Sequence, residues 1–363
     1  MADLPNYFIE FILRERTFLA LLGVGFFVVG ATYQDAAIAR WVGFFFASYA
    51  AVGNDSIQTI GTFIASNEKK PWWMLWLFIG GIFVATVAWS WVDTGGDVSF
   101  GRLTAKGFEE TPMSFSFLQV AAPLFLLILT RLRMPVSTTF LLLTSFAASA
   151  SSVGSVMTKS LSGYFLAFGL AIAVWSILGK AMDRWFTGEA HAGWRVAQWI
   201  TSGALWSVWI QQDAANIAVY LPRSMDTVQF SVFAGVVFLG LGLLFYMRGE
   251  RVQEIVNEKS SVVDVRPATI IDLVYAVILY YFKVKSKIPM STTWVFIGLL
   301  GGRELALALR GVSGRGWRVA AGLLIKDVVF ALIGLLVSVV LAAAVNEPFR
   351  QELLGLFGPG VAP

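Results

Sequence analysis

The sequence predicts an all-α integral membrane protein, with about 10–12 transmembrane or re-entrant helical segments arranged as two inverted repeats. Three observations carry that reading. The 363-residue chain is 57% hydrophobic and only 14% charged, with a mean hydropathy of +0.72, whereas a soluble domain carries roughly 25% charge. Apolar stretches recur along it at the ~17–25 residues needed to cross ~30 Å of hydrocarbon. Finally, M-P-V-S-T-T at Met134–Thr139 returns as I-P-M-S-T-T at Ile288–Thr293. The shared P-x-S-T-T core marks a duplicated unit.

In chain order, spans are expected near 17–33, 37–65, 72–92, 114–130, 161–180, 196–221, 227–247, 268–282 and 317–345. The segments 135–158 and 289–309 are shorter or interrupted, and each begins at a P-x-S-T-T copy. They read as spans or as re-entrant hairpins. Residues 1–36 hold an extra N-terminal span, 37–180 form repeat one, 181–195 the inter-repeat loop, 196–345 repeat two and 346–363 a C-terminal tail. The longest polar connections are Asp93–Pro112, Lys180–Arg195 and Arg248–Pro267. None could hold a separate domain, and the last reads as a short solvated surface helix. The opening M-A-D-L-P-N-Y-F-I-E has acidic residues and no basic n-region, unlike a cleavable signal, so the first span is expected to be retained.

Basic residues orient the chain. With Arg14 and Arg16 cytoplasmic, Lys69, Lys70, Arg131, Arg133, Lys180, Arg184 and Arg195 also fall inside, as the positive-inside rule expects. Lys283, Lys285 and Lys287 fall outside and run against it. The Asp55 helix then runs outside to inside and the Asp213 helix inside to outside. Such repeats are related by an axis in the membrane plane, which brings equivalent residues together near mid-depth.

Composition excludes several functions. With no cysteine there is no thiol catalysis, cysteine zinc site or disulfide. The single histidine, His191, lies in the charged loop Asp183–Arg195 and reads as a surface residue, which argues against a histidine-based catalytic centre. The net charge of +4 is spread over loops and does not point to nucleic acid. The expected surroundings are a lipid bilayer, taken to be a bacterial inner membrane. The tryptophans read as interface and packing residues.

Two acids stand out: Asp55 in G-N-D-S-I-Q-T and Asp213 in Q-Q-D-A-A-N-I. Asp55 precedes Ser137 at nearly the separation by which Asp213 precedes Ser291. An acid at membrane depth costs about 2.5–3.5 kcal/mol on insertion scales, so it needs a cation, a proton or hydrogen-bond donors. Asn54 and Gln212 immediately precede the acids, while Gln58 and Asn216 follow by three residues and share a helix face with them. Carboxylate, amide and backbone oxygens suit a sodium ion. The alternative is an acid satisfied by buried hydrogen bonds alone.

The P-x-S-T-T copies place Ser137, Thr138, Thr139 and Ser291, Thr292, Thr293 at helix starts, because proline suits the first turn. Free N–H groups and the dipole there favour an anion; ordinary capping, worth about 0.5–2 kcal/mol, is the plainer role. Among other intramembrane charges, Lys326 and Asp327 read as structural partners of other elements. Arg303-Glu304 reads as a gate pair or a hairpin tip, Asp272 as interfacial and Lys159 as a snorkelling residue. Gly298, Gly301 and Gly302 read as a close-packing or bending run.

These motifs resemble the PiT-type inorganic phosphate transporters, which carry two G-A-N-D-V-A-N-A-like and two P-V-S-T-T-H-like segments in inverted halves. P-V-S-T-T at 135–139 matches closely and P-M-S-T-T at 289–293 with one change; Phe140 and Trp294 follow where the family often has histidine. G-N-D-S-I-Q-T-I-G keeps Asn54-Asp55, with Gln58 for the family's second asparagine. Q-Q-D-A-A-N-I-A keeps Asp213 and Asn216, with Gln212 for its first. The ordered set covers about 37–310, most of the chain. The resemblance implies substrate-binding roles for Asn54, Asp55, Ser137, Thr138, Asp213, Asn216, Ser291 and Thr292. Asp55, Gln58, Thr139, Asp213, Gln212 and Thr293 are the expected coupling-ion set.

The expected function is secondary transport of a small inorganic oxyanion, phosphate first, by alternating access between the repeats. Sodium is favoured over protons as coupling ion because oxygen donors abound and the membrane portion has no histidine. Sulfate or another oxyanion with proton coupling is the alternative substrate reading. A passive anion channel is the alternative class, and an intramembrane enzyme the least favoured. No organic cofactor is expected, and homo-oligomerisation is left open.

Overall fold

The computed structural model describes residues 4–104, 108–132, 134, 136–147, 149–247, 264–311 and 316–357, and of 4–14, 56, 57, 183 and 348 the backbone alone. Every regular element among them is helical. A first helix, α1 (Leu4–Thr32), precedes α2 (Ala36–Ser66), α3 (Trp72–Asp93), α4 (Phe117–Arg131), the one-turn α5 (Thr138–Leu141) and α6 (Ala150–Ile177). The short α7 (Gly179–Trp185) leads to α8 (Ala192–Ala218), α9 (Thr227–Tyr246), α10 (Val265–Lys285), α11 (Thr292–Leu309), α12 (Trp317–Val345) and α13 (Glu347–Phe357). The surface helix expected at Arg248–Pro267 lies mostly outside the described residues.

Eight of these helices are long and apolar enough to cross a membrane: α1, α2, α3, α6, α9, α10, α11 and α12. Their outward faces carry large apolar side chains such as Phe27, Trp89, Phe165, Leu239 and Leu336, as lipid contact requires. α8 is 27 residues long, but Gln211, Gln212, Asp213 and Asn216 lower its apolar character, and all four are buried. The 15-residue α4 is short for a span.

The order α2–α6 repeats as α8–α12, and equivalent helices run antiparallel. The end of α2 meets the start of α8, where Asn67 Nδ2 donates to Gln198 Oε1 at 3.0 Å. The start of α2 meets the end of α8, where Gly43 lies against the Tyr220 ring. Likewise Trp76 Nε1 near the start of α3 donates to the Phe238 carbonyl of α9 at 2.9 Å. Trp91 Nε1, near the end of α3, donates to the Met225 carbonyl just before α9 at 2.8 Å. These are inverted repeats.

The repeats also exchange elements. α11 packs along α6 of the other repeat, and α5 with the 3₁₀ turn Leu143–Phe146 packs on α12. The α6–α11 pair is parallel and close. A Cβ on Gly298 or Gly302 would collide with the carbonyls of Tyr164 and Phe168, so glycine lets the two backbones touch.

The two P-x-S-T-T segments differ in form. The second continues into the unbroken 18-residue α11; Arg303 and Glu304 sit inside that helix, paired at 2.8 Å, rather than at a hairpin tip. The first stops after one turn. There Thr144 Oγ1 bonds the Phe140 carbonyl and Ser145 Oγ the Leu142 carbonyl, local bonds that compete with helix continuation. Ser149 then caps α6 by accepting from Ser152 N at 3.3 Å. The span expected to start near residue 161 therefore begins at Ala150. The opened backbone is satisfied from outside: Gln119 Nε2 donates to the Ser145 carbonyl at 3.1 Å, Asn346 Nδ2 to that of Ala147, and Glu352 accepts from Ala150 N at 2.8 Å. α1 docks on α4 through an Arg131–Glu15 ion pair.

Candidate functional site

The antiparallel α2 and α8 bring their acids to the interface between repeats, Asp55 1% and Asp213 3% exposed. Each acid accepts from the first threonine of its own repeat's S-T-T start. Thr138 Oγ1 donates to Asp55 Oδ2 at 2.5 Å, and Thr292 Oγ1 to Asp213 Oδ2 at 2.6 Å. Each has an amide on its other oxygen: Asn54 Nδ2 to Asp55 Oδ1 at 2.7 Å, and Asn216 Nδ2 to Asp213 Oδ1 at 2.5 Å.

Asn216 joins the halves. Its Nδ2 also faces Thr138 Oγ1 at 3.0 Å and Thr139 Oγ1 at 3.1 Å. A continuous chain therefore runs Asp55–Thr138–Asn216–Asp213–Thr292. Asn54 Nδ2 reaches the Val136 carbonyl at 3.0 Å, which holds the first S-T-T start against α2.

Ser137 and Ser291 cap their helices, accepting from Phe140 N and Trp294 N at 3.2 Å each. Ser291 N donates to Ser160 Oγ at 2.8 Å, and Tyr275 Oη to the Thr292 carbonyl at 2.9 Å. Thr293 is buried beside them. Phe140 and Trp294, the residues after each S-T-T, pack with ring centroids 5.7 Å apart.

The glutamines are peripheral. Gln58 is half-buried, with Nε2 3.4 Å from Asn54 Oδ1, so it backs the asparagine rather than the acid. Gln212 Nε2 turns to the Leu279 carbonyl of α10 at 2.9 Å, because adjacent helical residues do not share a face. Asn216 Oδ1, Gln212 Oε1 and Gln211 Oε1 are buried acceptors with no hydrogen-bond donor among the described residues.

Arg102 was invisible to sequence reasoning, since an arginine in a polar connection reads as solvated. It is 1% exposed. Its Nε donates to the Gln211 carbonyl at 2.6 Å, and Nη1 approaches the Lys287 and Ile288 carbonyls at 3.2 and 3.4 Å. It thus ties the approach to Asp213 to the approach to the second S-T-T. Burial pushes its guanidinium down to about 10 while Asp213 pulls it up, so it remains a cation at neutral pH.

Asp272 is not interfacial, as its place near a span start had implied. It is 1% exposed and accepts from Thr62 Oγ1 at 2.6 Å and Ser202 Oγ at 2.5 Å, one hydroxyl from each repeat. Helix rotation, which span counting does not supply, turns it inward. Lys159 is also buried rather than snorkelling; its Nζ donates to the Ser286 and Ile288 carbonyls. Lys326 stays exposed with Nζ 5.7 Å above the Phe330 ring.

The carboxylates, the S-T-T hydroxyls and the Asn216 amide converge with the two S-T-T helix starts. Such a site can hold cations on its acids and an oxyanion at the helix starts. A solved structure described as "The sodium-dependent phosphate transporter" shares this fold, with a TM-score of 0.56 at 17% identity over 88% of this chain and 99% of that one. No family model and no curated protein matches the sequence.

Proposed function

We propose that this chain is a secondary transporter that carries a small inorganic oxyanion, phosphate first, together with sodium, by alternating access of the two repeats. One observation carries the reading: the Asp55–Thr138–Asn216–Asp213–Thr292 chain, which joins two inverted acid–threonine pairs across the repeat interface. The PiT-type resemblance of those same residues, and a fold shared with a structure described as a sodium-dependent phosphate transporter, support it.

Charge balance explains why the anion needs company. Two buried carboxylates repel an oxyanion, and the S-T-T helix starts offset only part of that repulsion. Sodium on the carboxylates and on Asn216 Oδ1 would neutralise the site; these are the hard oxygen donors it takes. The Ser137, Thr138, Ser291 and Thr292 hydroxyls and nearby backbone N–H groups would then bind the anion. Bound charge replaces the acid–threonine bonds and biases the repeats toward reorientation.

The test is uptake of radiolabelled phosphate by proteoliposomes of purified protein. The expected result is concentrative, saturable uptake driven by an inward sodium gradient and lost when choline replaces sodium. Competition by sulfate reports the breadth of the substrate class. Equilibration without accumulation would identify a channel, and uptake driven by a pH gradient in choline would make protons the coupling ion.

A further inference from the structure

α11 runs parallel to α6 but starts partway along it, where Gly163 lies against the Met290 and Val295 side chains. At 1.5 Å per residue, Gly163 is roughly 20 Å from the start of α6. The second S-T-T start therefore lies well along α6 from its first residue, with the end of α10 beside it, where Phe282 meets Gly163 and Lys159 Nζ donates to the Ser286 carbonyl. The first turns of α6 stand above it and wall a groove against the end of α10.

That groove has a volume of about 470 Å³. Ser151, Ser155, Thr158 and Ser162 line it from α6 at three- and four-residue spacing, so they share one face. Lys159, Lys285, Ser286 and the apolar Phe282 and Ile288 line the rest, with no acidic residue in the lining among the described residues. Elsewhere α6 presents Phe165, Leu166 and Leu170 outward, so the hydroxyl face is confined to the stretch above the second S-T-T start. Lys159 has no carboxylate partner among the described residues; its ammonium binds the Ser286 and Ile288 carbonyls. Lys283 and Lys287 point elsewhere, Lys283 over the Trp89 and Phe100 rings and Lys287 against Gly101. The groove thus runs past hydroxyls, Lys285 and Lys159 to the segment that enters the P-M-S-T-T turn.

We infer that this groove is an anion-collecting vestibule, a second and weaker binding place for a hydrated small oxyanion on its way to the Asp213–Thr292 side of the central site. This rests on the function proposed above. A cleft lined by one sign of charge beside low-dielectric walls concentrates counter-ions and raises their on-rate. It also gives a role to Lys285, one of the lysines that run against the orientation rule. Lys159 in its wall, and Arg102 on the Ile288 carbonyl that Lys159 also binds, add positive charge where the anion leaves bulk water.

The absence of native cysteine makes a direct test available. In the purified full-length protein, Thr158→Cys is labelled with an anionic and with a cationic methanethiosulfonate reagent, and Ser155→Cys provides a second position. The expected result is several-fold faster reaction with the anionic reagent, with the preference abolished or reversed by adding Lys285→Glu. Equal rates, a cationic preference, or reaction only with an apolar maleimide would overturn the vestibule; the last result would mean that lipid or a second copy of the chain covers this face. Slowing by phosphate or sulfate is read separately. An anionic preference without protection by either ion leaves the vestibule standing and removes the proposed substrate.

Discussion

Thr139 Oγ1 donates to the Met290 carbonyl at 3.1 Å, so the first S-T-T start is bonded to the residue that precedes the second. Equivalent elements of two inverted repeats therefore meet at one place, with the Phe140 and Trp294 rings side by side. The paired acids sit on this junction, and movement of one repeat against the other must alter it.

Proximity across the junction is directly measurable. Phe140→Cys with Trp294→Cys should be bridged by a short bifunctional methanethiosulfonate in the otherwise cysteine-free chain, and either single variant should not. Failure to cross-link in folded protein would separate the two starts and remove the shared-site geometry.

Asp55→Asn and Asp213→Asn should each abolish concentrative uptake while the protein still folds and inserts. The amide keeps shape and removes a costly buried charge, so melting temperature should hold or rise. Near-normal uptake by either variant would exclude that acid from coupling.

Asp272 should behave as scaffold. Asp272→Ala leaves the Thr62 and Ser202 hydroxyls without their acceptor, at about 1–3 kcal/mol for a buried unsatisfied group. Replacing all three at once, with Thr62→Val, Ser202→Ala and Asp272→Leu, should recover most of that loss in thermal unfolding. If uptake disappears in the stable triple variant, Asp272 belongs to transport.

Gly302→Ala should destabilise by about 1–3 kcal/mol, as overpacking does, because its methyl would strike the Phe168 carbonyl. Gly322→Ala, with open space around it, should change thermal stability little. Equal effects would contradict the close α6–α11 contact.

One pH effect is expected outside the membrane spans. Asp264 caps α10 by accepting from Arg266 N at 2.9 Å, and hydrogen bonding to the Arg266 side chain holds its carboxyl below the usual carboxylate range. A lowered folded-state pKa adds stability that is present above the unfolded value of 3.8 and fades as pH falls through the folded one. The stability gap between the native chain and Asp264→Asn should thus be constant near neutrality and close below about pH 4. A gap independent of pH would place the stabilisation in the cap alone.

Composition and local pattern were sufficient for most of the spans, though not for the start of α6, and for the duplicated P-x-S-T-T motif and the two matched acids. Apolar length, serine caps and a repeated motif depend on near neighbours in the chain, so the sequence displays them openly. The tertiary structure decided which groups meet. It set Asn216 between the two acids, turned Gln212 away toward α10, buried Asp272 between hydroxyls of both repeats and drew Arg102 out of a polar connection. It also broke the first S-T-T helix after one turn while the second ran on, since external donors from Gln119 and Asn346 satisfy the opened carbonyls. These outcomes depend on how each helix is rotated and seated against partners far away in the chain. Local periodicity carries no record of that, because it is the packing of the two repeats together that selects it.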